Sequence, residues 1–586
     1  MKLIFRSMGR YGGSIFIAVF LKLIGTLSEL AIPYILEHII DYVVPSGQLK
    51  SVILWGCLMF AAAIVTRMLN VAANRRSIDN AHRVSYDVRQ ALFRKIANLS
   101  GSRFDAFGLP SLISRMTSDS YNVQSAVQQL QALCIRAPMM LLGGVAVTLI
   151  MDASLAMILV IMLPLLILVV LSVSAKGIPM YARVQGKLDT LVRIMRENIT
   201  GIRVVKALSK TEYEKRRFAA ANEDMTDTDI TASTVMAIHG PFLQFCLNVG
   251  LTLVVLMGAR RVNGGSMEPG VILAFLTYFN MIAMGVMGLT RIFMSMSKAS
   301  ASANRIDEVL RSPSDQHVLA PEAGLTPSGP GFIRFENVSF RYGEDSQSGN
   351  EADFDGESRE KALDGVSFTL EKGESLGIIG PMGCGKSTVI HLLLRFYDVD
   401  EGGVFLDGKD VRTFDRDELR SRFGVCFQND MVFQDSLREN VNFGRELSDE
   451  EIRSALGDAM ALEYVDALPE GLDYAAAIKG ANLSGGQKQR LLVARALAGK
   501  PEVLILDDSS SALDYKTDAA MRRAIHEHYA DVTLIMVAQR VSSVMGMDRI
   551  LVMDDGKIIG CGTHRELLET CPVYRETYGI QLGDMQ

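Results

Sequence analysis

Nine consecutive residues constrain this chain more than any others: Gly380-Pro381-Met382-Gly383-Cys384-Gly385-Lys386-Ser387-Thr388. They follow the apolar run Ser375-Leu376-Gly377-Ile378-Ile379, which reads as a buried strand, and precede Val389-Ile390-His391-Leu392-Leu393-Leu394, which reads as a helix. Strand, glycine-rich loop and helix in this order make a phosphate-binding loop. Glycines let successive backbone N–H groups turn inward around phosphate oxygens, where a Cβ would obstruct them. The helix N-terminus adds a partial positive charge. The spacing sets Lys386 as a point charge on the β- and γ-phosphates and the Ser387 hydroxyl as a ligand of Mg²⁺.

Hydrophobicity is unevenly spread along the 586 residues, of which 49% are hydrophobic. Six apolar runs lie in the first three hundred, at about 14–40, 52–74, 132–150, 155–175, 235–259 and 270–294. Each is long enough to cross a bilayer. The first run follows Lys2, Arg6 and Arg10 but is too long for a cleavable signal, so it is expected to remain as a span. Three of the links are short, and their edges carry only Lys50, Arg260 and Arg261. The alternate links, 75–131 and 176–234, are long, helical in period and rich in lysine and arginine. That asymmetry predicts a multi-pass protein of the cell membrane, with the long segments, both termini and the phosphate loop in the cytosol. Each long segment should turn back at a short crosswise helix, the first near Ser102–Phe107 and the second near Lys210–Lys215.

The predicted division is a membrane domain over 1–310, a Pro/Gly/Ser-rich linker over 311–331 and a phosphate-loop domain over 332–586. The polar, acidic stretch 344–361 is expected to be a surface insertion. The formal charge of −6 gives no sign of a nucleic-acid partner. Seven scattered cysteines without a C-x-x-C pair argue against a disulfide framework or a zinc site. Cys384 lies in the loop itself and is a candidate thiol whose alkylation blocks nucleotide binding.

Further motifs follow the loop. Val503-Leu504-Ile505-Leu506-Asp507-Asp508 reads as a buried strand ending in carboxylates, with Asp507 placed to hold hydrated Mg²⁺. Leu483-Ser484-Gly485-Gly486-Gln487 leads into a helix and makes a second anion-binding N-terminus. One chain with one phosphate loop has no need of two such sites. The second is therefore expected to serve the nucleotide of another subunit.

Taken together, these motifs resemble an ATP-binding cassette (ABC) transporter half of the exporter type over nearly the whole chain. The resemblance implies an α-helical six-span membrane domain followed by an α/β P-loop ATPase domain, using ATP and Mg²⁺. Gly380 to Thr388 is similar to the Walker A motif, Val503 to Asp507 to Walker B, and Leu483 to Gln487 to the ABC signature. By the same resemblance Gln428 is the Q-loop glutamine that ligates Mg²⁺ and senses the γ-phosphate. Tyr342 is the aromatic that stacks on adenine, and Ser511 to Asp514 is the D-loop.

Three positions depart from the family pattern. Asp508 stands where the family usually has the glutamate that acts as general base on the attacking water, and Gln539 where it has a switch histidine. Aspartate is one methylene shorter, roughly 1.5 Å of reach, and a base must come within about 2.6–3.2 Å of its water. Glutamine can hydrogen-bond a phosphate oxygen but cannot take up a proton near neutral pH. Ala475-Ala476-Ala477, before the signature, replaces residues that are often acidic in the family. A weak catalytic face beside an intact signature resembles the degenerate-site subunit of heterodimeric multidrug exporters. The expected partners are a second exporter half, the bilayer and a hydrophobic or amphipathic substrate. The alternatives are a homodimeric exporter of lipid or peptide, an exporter-fold importer of metal chelates, a soluble ABC ATPase and a non-transporting membrane sensor. Candidate residues facing a substrate are those costly in lipid: Glu29, Glu37, His38, Arg67, Arg136 and Arg291.

Overall fold

The structure is a computed structural model that describes residues 1–313, 316–343, 360–509 and 512–583. Most of the acidic insertion and Ser511 lie outside the described residues, as does the side chain of Arg291. The chain forms two compact units. One comprises Met1–Ala97 and Pro110–Ser312; the other comprises Asn98–Leu109 and Pro313–Gln586.

The first unit is helical. Its helices include α1 (Gly12–His38) and α2 (Leu49–Ala97); α3 (Gly101–Phe107) follows in the chain but belongs to the second unit. The path returns through α4 (Ser120–Pro138), α5 (Gly144–Met151) and α6 (Ala153–Thr200). It then continues through α7 (Ile202–Ala207), α8 (Thr211–Ala237), α9 (His239–Asn263) and α10 (Pro269–Arg311). Among the described residues, five stretches, Gly12–Val43, Leu49–Ala97, Leu109–Met151, Thr211–Asn263 and Pro269–Leu289, are long and apolar enough to cross a membrane. Ala153–Leu168 is a shorter apolar stretch at the start of α6. A single residue turns the chain between α5 and α6. Asp152 is extended, its side chain caps α6 by accepting from the backbone N–H of Ser154 and Leu155, and Arg261 Nη1 lies 2.7 Å from both carboxylate oxygens.

The crosswise turns differ in how well the sequence located them. Ser100 caps α3 at the expected place. The second short helix is α7, at Ile202–Ala207, not Lys210–Lys215. Gly201 leaves helical geometry, Ser209 adopts a left-handed backbone, and Lys210 is the N-cap of α8, so Thr211–Lys215 open a long helix.

The second unit is built on two sheets. Strands β1 (Ile333–Phe340), β2 (Leu363–Leu370), β4 (Glu401–Leu406) and β5 (Lys409–Asp410) form an antiparallel sheet ordered β2-β1-β4-β5. The other six are β3 (Ser375–Ile379), β6 (Phe423–Cys426), β7 (Val503–Asp507), β8 (Thr533–Val537), β9 (Arg549–Asp554) and β10 (Lys557–Gly562). They are ordered β10-β9-β3-β8-β7-β6. The pairs β9–β3, β3–β8, β8–β7 and β7–β6 are parallel. Helices α11 (Lys386–Leu393), α12 (Gly485–Leu497) and α13 (Tyr515–His528) carry the remaining motifs. β7 is buried throughout, as its unbroken apolar run requires of a central parallel strand. The stretch expected to be a linker lies against this unit: Gln316 Nε2 donates to Arg395 O, and Leu319 N–H to Arg412 O.

Candidate active site

Strand order brings the site together. Parallel strands present their C-terminal ends along one edge, where ligands of such sheets bind. The end of β3 delivers the phosphate loop; β8 delivers Gln539, β7 delivers Asp507 and Asp508, and β6 delivers Gln428. A cavity of about 530 Å³ opens there. Its walls include Gly383, Gly385, Lys386, Ser387 and Thr388 from the loop. Tyr342, Gln428, Asp507, Asp508 and Gln539 also line it.

Two glycines are required by contact. A Cβ on Gly380 would stand 2.1 Å from Met553 O, and one on Gly385, at φ +99, would stand 2.5 Å from Ala362 O. The loop can be closed this tightly only without side chains. Lys386 Nζ donates to the carbonyls of Gly380 and Pro381 at 2.8 and 2.6 Å. Cys384 is buried behind the loop, and that burial raises its thiol pKa against the opposing charge of Lys386.

Ser387 Oγ donates to Asp507 Oδ2 at 2.9 Å. Burial pushes the Asp507 carboxyl up and the charge of Asp508 adds to it, while the Ser387 hydrogen bond and Lys386 oppose. A hydroxyl and a carboxylate meeting beside a phosphate loop are the hard oxygen donors that Mg²⁺ takes, so Ser387 and Asp507 fit that ion. The Gln428 side chain reaches the same cluster.

Asp508 is held by amides. Its Oδ2 accepts from Gln428 Nε2 at 3.1 Å and from Gln539 Nε2 at 2.9 Å, and its backbone is left-handed at φ +49. Sequence reasoning passed over one contributor, Gln489. Its Nε2 donates to Asp508 O at 3.1 Å and its Oε1 accepts from Ala512 N–H at 2.9 Å. The sole signal was its place in the first turns of the helix that follows the glycines.

Tyr342 lies edge-on to Phe340 and Tyr397, with ring centroids 4.9 and 5.2 Å away. Its hydroxyl donates to Thr388 Oγ1 at 3.1 Å and lies 3.2 Å from His391 Nδ1. α3 is anchored beside this group, through Gly101 N–H to Phe396 O at 2.9 Å and Tyr397 OH to Asp105 Oδ2 at 2.6 Å.

The signature residues stand apart from this cavity. Ser484 Oγ accepts from Gln487 N–H while Gln487 Oε1 accepts from Ser484 N–H, a reciprocal cap on α12. Ser484 and Gly485 are exposed, and neither they nor Gly486 or Gln487 are among the cavity's walls. Asp514 caps α13 through Thr517 N–H, and that contact holds its carboxyl below the usual range.

The chain is similar to known proteins over nearly its whole length. Residues 15–286 match the family described as ABC transporter transmembrane region, and residues 363–511 match ABC transporter. The chain is 33% identical over 568 residues to the Uncharacterized ABC transporter ATP-binding protein YfiB of Bacillus subtilis, covering 97% of this chain and 96% of that protein. It is 31% identical over 565 residues to a Mycobacterium tuberculosis ABC transporter ATP-binding protein, Rv1273c, covering 95% and 94%. Among solved structures, that of a bacterial Atm1-family ABC exporter with ATP bound superimposes with a TM-score of 0.80. The match covers 99% of each chain at 20% identity.

Proposed function

The chain belongs to the ABC transporters, and from that premise we propose that it is one half of a heterodimeric, multidrug-type exporter whose own ATP site turns over slowly. ATP hydrolysis coupled to transport is the activity of the family. The observation that carries the finer reading is the double amide clamp on Asp508 Oδ2. Neither amide can relay a proton. A carboxylate that is short by one methylene and already engaged twice is a poor base for an attacking water.

In this reading the backbone N–H groups of the loop and Lys386 hold the ATP phosphates while Tyr342 lies against the adenine. Mg²⁺ would be held by Ser387 and Asp507, with Gln428, and supplies charge neutralisation of the phosphates. Ser484 and Gly485, both exposed, and the half-buried Gly486 complete the nucleotide bound by the partner's Walker motifs, and the partner brings the glutamate and histidine this chain lacks. ATP binding closes the two ATPase units, the membrane helices open outward, and hydrolysis at the partner's site resets them. Exposed apolar side chains around α7 (Val204, Leu208 and Tyr213 are 60, 63 and 58% exposed) support a second chain as their neighbour. The excess of lysine and arginine in the long links supports placing the ATPase unit and both termini in the cytosol.

The test is gentle purification from the native membrane, followed by transport into vesicles. The reading expects a second exporter half carrying the glutamate and the histidine. Asp508→Ala should then reduce transport far less than removal of the partner's catalytic glutamate. Recovery of this chain as a homodimer hydrolysing ATP at ordinary rates would sink it.

A further inference from the structure

The membrane-spanning unit contains a polar seam where α1, α2 and α4 meet. Lys22 and Glu29 are seven residues apart and share one face of α1; Thr66, Asn70 and Asn74 recur every fourth residue along α2. Lys22 Nζ donates to Asn74 Oδ1 at 3.1 Å, and Arg136 Nη2 of α4 donates to Glu29 Oε1 at 2.8 Å. Gly25 admits Asn70 to the seam: a Cβ there would stand 3.2 Å from Asn70 Nδ2.

The seam has two cations and one carboxylate. Lys22 is only 4% exposed, and among the described residues no carboxylate forms an ion pair with it. Charges so placed in a membrane domain are costly unless matched by an opposite charge. A simple staple between helices would pair charges one to one and satisfy its polar atoms. Here Glu29 Oε2, Thr66 Oγ1, Asn70 Oδ1 and Arg136 Nε are buried without hydrogen-bond partners, and Thr66 is 7% exposed. The seam is nevertheless open on one side, since the Arg136 side chain is 40% exposed.

We infer that this seam receives a single anionic head group, such as a phosphate, sulfonate or carboxylate, carried on an apolar body. The inference rests on the exporter reading and names the class of molecule moved. Lys22 and Arg136 supply the matching charge, the Thr66 hydroxyl and Arg136 Nε–H are the unpartnered donors for the head group, and Glu29 orients Arg136. The apolar helices around the seam suit the rest of an amphiphile. The head group can belong to a membrane lipid or to a soluble amphiphile, and the chemistry at the seam is the same.

The test uses the complex of this chain with its partner in phosphatidylcholine nanodiscs, with radiolabelled dodecyl phosphate as probe. The expected result is saturable binding that unlabelled dodecyl phosphate displaces and dodecyltrimethylammonium does not. Lys22→Met and Arg136→Gln should each weaken it about tenfold, the scale of one charge interaction in a partly screened site. Arg136→Lys should retain it, and Glu29→Gln should tighten it. The opposite signs separate anion binding from a structural seam, in which every substitution acts the same way. Adding phosphatidylglycerol to the nanodiscs distinguishes the sources: competition with the probe supports a lipid occupant, and no competition supports a soluble amphiphile. Binding that ignores charge, or that Glu29→Gln weakens as much as Lys22→Met does, overturns the inference. ATP binding and hydrolysis are measured on the same samples. Their loss in the unaltered complex counts against the exporter reading, while their retention without charge-selective binding overturns only the seam.

Discussion

If Asp508 is a weak base because it is short and clamped, lengthening it and releasing the clamp should restore turnover. The double variant Asp508→Glu/Gln539→His does both. Glutamate extends the carboxylate by roughly 1.5 Å. Histidine removes the amide that lies 2.9 Å from Oδ2, leaving only the 3.1 Å bond from Gln428. A hydrogen bond to a charged group is worth about 1.5–3 kcal/mol, so the clamp competes strongly with any water for the same oxygen. General acid–base catalysis contributes about 10²–10⁴-fold, and the lower end of that range corresponds to about 2.7 kcal/mol of barrier. We therefore expect phosphate release from this chain's site to rise about a hundredfold. The assay is phosphate release at saturating ATP in a complex whose partner carries a glutamine in place of its catalytic glutamate, so that only this chain's site reports. Asp508→Glu alone should give part of the gain and Gln539→His alone little. No gain in the double variant, together with loss of the existing rate in Asp508→Ala, would refute the argument and make Asp508 the working base.

Cys384 should alkylate more slowly than the exposed Cys561 at pH 7, because burial disfavours its thiolate, and faster as pH rises. ATP should protect it. Peptide mass spectrometry over time checks both points, and prompt modification of Cys384 with ATP bound would contradict the placement. His391 is held neutral by burial, which lowers its pKa despite the charge of Asp105, so the folded ATPase unit binds fewer protons there than the unfolded chain. Its contribution is therefore intact above the ordinary histidine pKa of about 6.5 and is lost as pH falls below it. The melting temperature should drop more between pH 7.5 and 5.5 in the unaltered protein than in His391→Gln, and equal drops would refute it. Gly101→Val should loosen α3, since a Cβ there would lie 2.7 Å from the Tyr397 ring and 2.8 Å from Phe396 O. Overpacking of this kind costs about 1–3 kcal/mol. Hydrogen exchange across Gly101–Phe107 should quicken while ATP affinity holds, and unchanged exchange would contradict it.

Much of the ATP site was legible because its signals are local. A glycine loop between an apolar strand and a helix needs no tertiary information, and β7 announces itself as four apolar residues running into two carboxylates. What stayed hidden depends on strand order. Gln428, Asp508 and Gln539 are each readable as residues just past a strand. Only the arrangement β8-β7-β6 brings both amides onto one oxygen of Asp508. The turn at α7 was misplaced for a different reason: Ile202–Ala207 and Thr211–Lys215 are equally helix-compatible, and the break between them rests on the left-handed backbone of Ser209. The membership of α3 in the second unit was not readable at all, since its neighbours in sequence belong to the first.

The same contrast explains why Lys22 is absent from the candidate substrate-facing residues of the spans. A lysine on a membrane helix ordinarily snorkels toward the interface, and its neighbours in sequence give no reason to think otherwise. Its burial is decided by α2, whose Asn74 receives its ammonium, and by Gly25, which lets the two helices close. Glu29 and Arg136 were singled out separately and pair with each other, which accounts for one cation and the one carboxylate. The cation left over belongs to the side chain that sequence position made least conspicuous. Charge balance in the spans therefore has to be counted in the fold, where the surplus of one is what the proposed anionic cargo would match.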